Sequence, residues 1–337
     1  MSEQFVLPGF VNAHSHAFQR RLRGRAEGGD FWAWREVMLD LARGLTPRQV
    51  RLDYAATYRE MRAAGYTAVG EFHYLGFREA EAALAAAEEA DIAIVLLYVA
   101  YARGGLARFR QPSVAAYLAE LERLRERGRV GLAPHSVRAC PPGWLDELGR
   151  YAEREELVLH VHADEQPREV DECLAEHGLR PIELLARTKC LGPRTTVVHA
   201  THADDGELDL LADSGARICV CPTTEANLGD GFLPVARTRR RGIELCIGSD
   251  SNVRIDPLEE LRELEGVARR QELRRNVIEP DELLAIGADA GAASLGLGEW
   301  QAVEVDLAHP SLTGVARDDV RAALVFGCAA DVVACAR

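Results

Sequence analysis

A chain of 337 residues, 47% of them hydrophobic, can bury a large core, and one α/β barrel of about 250 residues with an appendage suits that length. A formal charge of −13 argues against a nucleic acid or an anionic membrane as partner, because both select basic surfaces. Any anionic substrate must then be met by a few well-placed arginines.

In chain order, Val6–Ala13 reads as a first buried strand that delivers His14 and His16 at its C-terminal end. A polar, glycine-rich loop follows over 19–30. Helical spacing of apolar residues covers 31–43. Thr46-Pro47 then opens a longer helix to Ala64, with Thr46 as N-cap and Pro47 at the first helical position. From there a short apolar run, a polar loop and a helix recur. The runs are Tyr66–Phe72, Asp91–Val99, Val130–Pro134, Leu157–His162, Thr195–His199, Ala216–Val220 and Ile243–Ile247. Helical stretches at 78–90, 113–127, 143–155, 168–187, 204–213 and 233–240 fill the gaps. Eight strands alternating with helices predict a (β/α)8 TIM-like barrel, an α/β fold. Beyond the eighth strand, helices are expected at 257–274 and 280–295. Ala302–Leu307 and Ala322–Phe326 read as extra strands or an irregular tail.

The eight cysteines are scattered, and Cys219 and Cys221 are too close for an unstrained disulfide, so all read as reduced and buried. The N-terminus shows no basic-then-apolar leader, and the longest apolar runs, such as Ile92–Ala102, are too short for a bilayer. A cytoplasmic enzyme is the expected class.

In such a barrel the active site lies at the C-terminal ends of the strands, so the polar residue closing each run carries the chemistry. His14 and His16 close the first run, Glu71 and His73-Tyr74 the second, His135 the fourth, His160 and His162 the fifth, His199 the sixth and Asp250 the eighth; seven of the ten histidines fall at strand ends. Residues i and i+2 of a strand share a face, so His14 and His16 can present two imidazoles to one point. His14, His16, His162 and Asp250 together give three neutral imidazoles and one carboxylate, a set suited to zinc or ferrous iron. His160 reads equally as a packed residue or a ligand. Asp250 also reads as an Asx-turn residue in Gly248-Ser249-Asp250-Ser251-Asn252.

Several stretches carry a resemblance. Pro8-Gly9-Phe10-Val11-Asn12-Ala13-His14-Ser15-His16, His162-Ala163-Asp164-Glu165, His199 and Gly248-Ser249-Asp250 resemble the amidohydrolase superfamily in its mononuclear deaminase branch. Phe31-Trp32-Ala33-Trp34-Arg35-Glu36, His135-Ser136-Val137-Arg138 and Thr224-Glu225-Ala226-Asn227-Leu228-Gly229-Asp230-Gly231 are similar to the N-formimino-L-glutamate deiminase family within it. The resemblance spans about residues 5–300.

It implies a barrel of the metal-dependent hydrolase type that converts N-formimino-L-glutamate to N-formyl-L-glutamate and ammonia in histidine degradation. His14, His16, His162 and Asp250 would hold one divalent metal, zinc or alternatively ferrous iron, able to bring the pKa of water from 15.7 to about 7. Glu165 would carry a proton from water to the departing nitrogen, His199 would stabilise the tetrahedral centre, and Asp250 would accept a proton as well as ligate. Arg35 and Arg138 would hold the substrate carboxylates, with Gln19, Tyr74 and His135 as neighbouring donors. Glu225, Asn227 and Asp230 either reach the site or simply form a turn. The expected partners are a small anionic amidine and a second copy in a homodimer, with no nucleic acid and no membrane.

The family carries a small β-domain beside the barrel, which is expected to be reduced or missing here. Residues 1–7 would be a short remnant, 8–296 the catalytic barrel, and 297–337 a tail. Asn252 stands where relatives often have a histidine. Two other readings remain: a deaminase of the same branch acting on a purine, pterin or triazine ring, or a non-catalytic binding homologue.

Overall fold

Parallel pairing of successive short strands needs a return crossover each time, and the helices between them supply it. In the computed structural model, which describes residues 5–335, the strands are β1 (Phe5–Pro8), β2 (Phe10–Ser15), β3 (Tyr66–His73), β4 (Ala93–Ala100), β5 (Val130–Pro134) and β6 (Leu159–Ala163). They continue as β7 (Thr195–His199), β8 (Arg217–Val220), β9 (Leu245–Ile247), β10 (Ala302–Val305) and β11 (Val333–Cys335). Strands β2 to β9 pair in sequential order as one eight-stranded parallel sheet. Every residue of β2, β3, β5, β6 and β7 is buried, as expected of strands packed inside and out.

The sheet curls into a nearly closed barrel, and β2 meets the end of β9 at a bridge between Ser15 and Asp250. There the His16 amide donates to the Asp250 carbonyl at 2.8 Å, and the Asp250 amide donates to the His14 carbonyl at 3.0 Å. Glycine is required beside this seam: a Cβ on Gly248 would lie 2.7 Å from the His14 carbonyl oxygen and 2.8 Å from its Cβ.

The first apolar run is two strands rather than one. It divides at Gly9, whose amide donates to the Gln301 carbonyl, so β1 leaves the barrel and pairs antiparallel with β10, which pairs with β11. The helical stretch 168–187 is likewise broken, into Pro167–His177 and Pro181–Arg187, because Gly178 takes a left-handed conformation and Pro181 starts a new first turn. Val320–Gly327 is a helix, not a strand. Its apolar positions Val320, Leu324 and Val325 recur at helical spacing and are buried, a pattern that a five-residue window hides. The helix Pro222–Leu228 lies outside the expected helical stretches, with a left-handed Gly229 closing it.

All eight cysteines are free, and seven are buried. Among the described residues no helix is long and apolar enough to cross a membrane.

Gly248→Ala tests the closure. Overpacking against backbone that cannot yield is expected to cost about 1–3 kcal/mol and lower the thermal midpoint of the metal-free protein. An unchanged midpoint would show that the seam adapts.

Candidate active site

Three strand ends, those of β2, β6 and β9, bring four polar residues to one point. His14 Nε2 lies 3.2 Å from His16 Nε2 and 3.1 Å from His162 Nε2, while Asp250 Oδ1 is 3.5 Å from His14 Nε2 and 3.2 Å from His16 Nε2. All four residues are buried, and their ligating atoms lie within 4.8 Å of one another. Neighbouring shells set the ring orientation. His16 Nδ1 donates to the Phe72 carbonyl at 2.9 Å, and His162 Nδ1 donates to the His135 carbonyl at 3.1 Å. In both rings the Nε2 lone pair is thereby turned inward.

Burial favours neutral imidazoles, pushing His14 down to about 3 and His162 well below its ordinary value. Burial alone would raise the Asp250 carboxyl, but its contacts with the His14 and His16 rings outweigh it and hold the group well below the usual range. Three buried imidazoles, two of them with lone pairs turned inward, and a carboxylate cannot satisfy one another. One divalent ion, with nitrogen bonds of about 2.0–2.1 Å, can face all four donors, so the residues fit a metal.

Glu165 and His199 flank this group. Glu165 Oε1 is 3.7 Å from His199 Nε2, and its Oε2 is 3.4 Å from Arg138 Nη2. His199 Nδ1 lies 3.2 Å from Glu225 Oε1, and its buried Nε2 has no hydrogen-bond partner among the described residues. Burial opposes a charge on this ring, yet Glu165, Glu225 and Asp250 together prevail and lift His199 to about 10. The Glu165 carboxyl is raised, chiefly by burial.

The rim that carries these groups is strained. Asp164, His199, Ala200, Asp250 and Asn252 are non-glycine residues with φ between 41° and 75°. Such clusters occur where surrounding contacts over-determine a functional geometry.

A cleft opens onto the group. His16, His162, Asp250 and Glu165 form its floor, and Gln19, Arg35, Tyr74, His135 and Arg138 stand in its wall. Gln19 Nε2 donates to Tyr74 Oη at 2.9 Å, which leaves Gln19 Oε1 buried without a partner. Arg35 projects from the helix Phe31–Arg43, which Asp30 caps by accepting from the Ala33 amide at 2.9 Å. Phe31, Trp34, Tyr101 and Phe109 complete the wall.

The structure therefore gathers the residues singled out in the sequence around one cleft, with His14 and His199 immediately behind the floor. His160 is elsewhere: its Nε2 donates to the Ser294 carbonyl at 3.0 Å, so it packs rather than ligates. Asn227 reaches Glu27 at the surface, and Asp230 accepts from Gln166. Glu225, left open between site and turn, holds His199. Sequence reasoning missed Glu169. This buried carboxylate accepts from the Glu165 amide at 3.1 Å and from Arg138 Nε at 3.2 Å, and its only sequence trace is its place one helical turn after Glu165.

Residues 5–301 match the amidohydrolase family. The chain belongs to that family. It is 39% identical over 323 residues to a formimidoylglutamate deiminase from Pseudomonas aeruginosa, covering 87% of this chain and 71% of that protein. A 5-methylthioadenosine/S-adenosylhomocysteine deaminase from Haloarcula marismortui is 29% identical over 303 residues, covering 88% of this chain and 69% of the relative. An adenosine deaminase from Xanthomonas campestris, solved with bound zinc, shares the fold with a TM-score of 0.89 at 23% identity, covering 98% of this chain and 78% of that one. As an amidohydrolase, the chain is a hydrolase acting on C–N bonds.

The metal-stripped protein is expected to take up one divalent ion per chain by equilibrium dialysis with elemental analysis, and His162→Ala to take up none. Equal uptake by the variant would place the ion elsewhere.

Proposed function

We propose that this amidohydrolase hydrolyses N-formimino-L-glutamate to N-formyl-L-glutamate and ammonia. The observation that carries this reading is the pair of guanidinium groups, Arg35 and Arg138, in the wall of the cleft that opens on His16, His162, Asp250 and Glu165. A substrate with two carboxylates and a neighbouring amidine needs that combination, since an arginine fork meets a carboxylate in two parallel hydrogen bonds. The 39% identity to the Pseudomonas deiminase supports the same substrate.

His14, His16, His162 and Asp250 would hold the metal. Their imidazole and carboxylate donors favour zinc, with ferrous iron as the alternative. Bound there, a divalent ion would supply Lewis acidity, bringing the pKa of water to about 7. Water adds to the formimino carbon, and the bond from that carbon to the terminal imino nitrogen breaks. Glu165, on the floor of the cleft, takes the proton from the attacking water and passes it to the nitrogen that leaves as ammonia. Asp250, through the oxygen facing His199, accepts the second proton as the added hydroxyl becomes the formyl carbonyl, and that proton also passes to the departing nitrogen, which needs both to leave as ammonia. His199 is anchored through Nδ1 by Glu225 and offers its unpartnered Nε2 to the tetrahedral centre. Gln19 Oε1 is free to accept from the amidine N–H, and Tyr74 and His135 flank the same space.

A second reading has one observation in its favour: Phe31, Trp34, Tyr74, Tyr101 and Phe109 form an aromatic wall that would also stack on a purine ring.

Ammonia release separates the two. Release from N-formimino-L-glutamate should vanish on chelation and return with zinc or iron. Arg35→Ala should lower kcat/KM on the order of 2–5 kcal/mol, roughly 30-fold to a few thousand-fold, through loss of a carboxylate contact. No release from folded, metal-loaded protein, or release from adenosine-type substrates that ignores Arg35→Ala, would overturn the assignment. Glu165→Gln should cut kcat by roughly 10²–10⁴-fold while metal content stays unchanged.

A further inference from the structure

Asp250 and Asn252 are both left-handed, at φ 41° and 56°, and asparagine tolerates that region better than most residues. Two such residues in one short turn persist only if the surroundings hold them. The Asn252 carboxamide is the centre of that hold. Its Nδ2 donates to the Asp250 carbonyl at 3.0 Å and to Ser15 Oγ at 3.1 Å, and its Oδ1 accepts from Ser249 Oγ at 2.7 Å. Ser249 is fixed in turn by Asn12: the Ser249 amide donates to Asn12 Oδ1 at 3.0 Å, and Asn12 Nδ2 donates to Ser249 Oγ at 2.6 Å.

Asn12, Ser15, Ser249 and Asn252 are wholly buried, and none of them lines the cleft. They cannot touch a substrate there. Ser15 nevertheless lies between His14 and His16, and the Asp250 carbonyl that Asn252 engages also accepts the His16 amide. One side chain thus spans the seam between the histidine pair at the end of β2 and the carboxylate that follows β9.

We propose that Asn252 is a positioning residue whose carboxamide sets the placement of Asp250 against His14 and His16, and through it the affinity of the metal-binding group. The inference rests on the reading of His14, His16, His162 and Asp250 as the metal group. Loss of an outer partner of a metal ligand typically weakens binding 10- to 100-fold. Glycine at 252 keeps the backbone conformation without strain and deletes only the three side-chain hydrogen bonds; alanine deletes the bonds and adds strain.

The test measures zinc affinity of the metal-stripped wild type, Asn252→Gly and Asn252→Ala by competition with a chromophoric chelator. It also records the visible spectrum of each cobalt(II)-loaded protein and the circular dichroism of each metal-free one. The proposal expects Asn252→Gly to be folded, to bind zinc 10- to 100-fold more weakly, and to show an altered cobalt spectrum. Asn252→Gly with wild-type affinity and spectrum would overturn it, whatever happens to the melting temperature, because a merely structural role moves only the latter. Should Asn252→Ala not fold, Asn252→Gly alone decides. A wild type that binds neither ion would instead overturn the reading of the four ligands on which the inference stands.

Discussion

Closure of the barrel between β2 and β9 is the constraint on which the site depends. The last strand has three residues, too few to secure a long ladder, and the joining hydrogen bonds are made by the backbones of His14, His16 and Asp250 themselves. Folding the sheet into a cylinder and bringing these three side chains together are therefore one event. That coupling explains why the seam is packed so closely that Gly248 has no room for a Cβ, and why buried polar residues join the two strands there. A buried amide or hydroxyl is tolerated only when paired, so the Asn12–Ser249–Asn252–Ser15 chain admits one register and penalises others.

Charge is arranged on the same principle. The protein is strongly acidic, and Glu165, Glu225 and Asp250 converge on His199 without access to much water. Isolated, each buried carboxylate would be forced toward its neutral form. Grouped around one imidazole they favour its cation, so the ring is poised as a donor while Glu165 keeps a raised affinity for protons. Arg138 supports the arrangement from the other side, bridging Glu165 and Glu169.

Much of this was legible in the chain because each barrel strand is a short apolar run ending in a chemically distinctive residue. Period-two spacing placed His14 beside His16, and position after the eighth run placed Asp250 across from them. The same logic could not separate His160 from His162, because both close one strand on one face and only depth in the barrel, set by Ser294, distinguishes them. Gly9 was misread because residues on both sides of it are apolar and extended; the break exists only because two different sheets claim the two halves. Glu169, Asn12 and Ser249 act through hydrogen bonds to other segments, which leave no periodic trace. Glu225 was ambiguous for a related reason: the helix that carries it is only seven residues long and is flanked by proline and glycine.

The cleft's two cations differ in a way that bears on selectivity. Arg138 is already compensated by two buried carboxylates. Among the described residues the ion pair of Arg35 is a 3.6 Å contact with an exposed Glu36, a pairing worth little against water. A neutral ring entering the cleft would gain the aromatic wall but would strip water from the Arg35 guanidinium and offer no charge in return. A dicarboxylate would replace that water with a charge-assisted contact. Specificity is a difference of affinities, and an uncompensated charge lowers one side of the comparison as surely as a good contact raises the other. On the proposed reading the aromatic residues would supply shape and a water-poor surrounding, while Arg35 would decide which of two chemically similar amidine centres is held over the floor of the barrel.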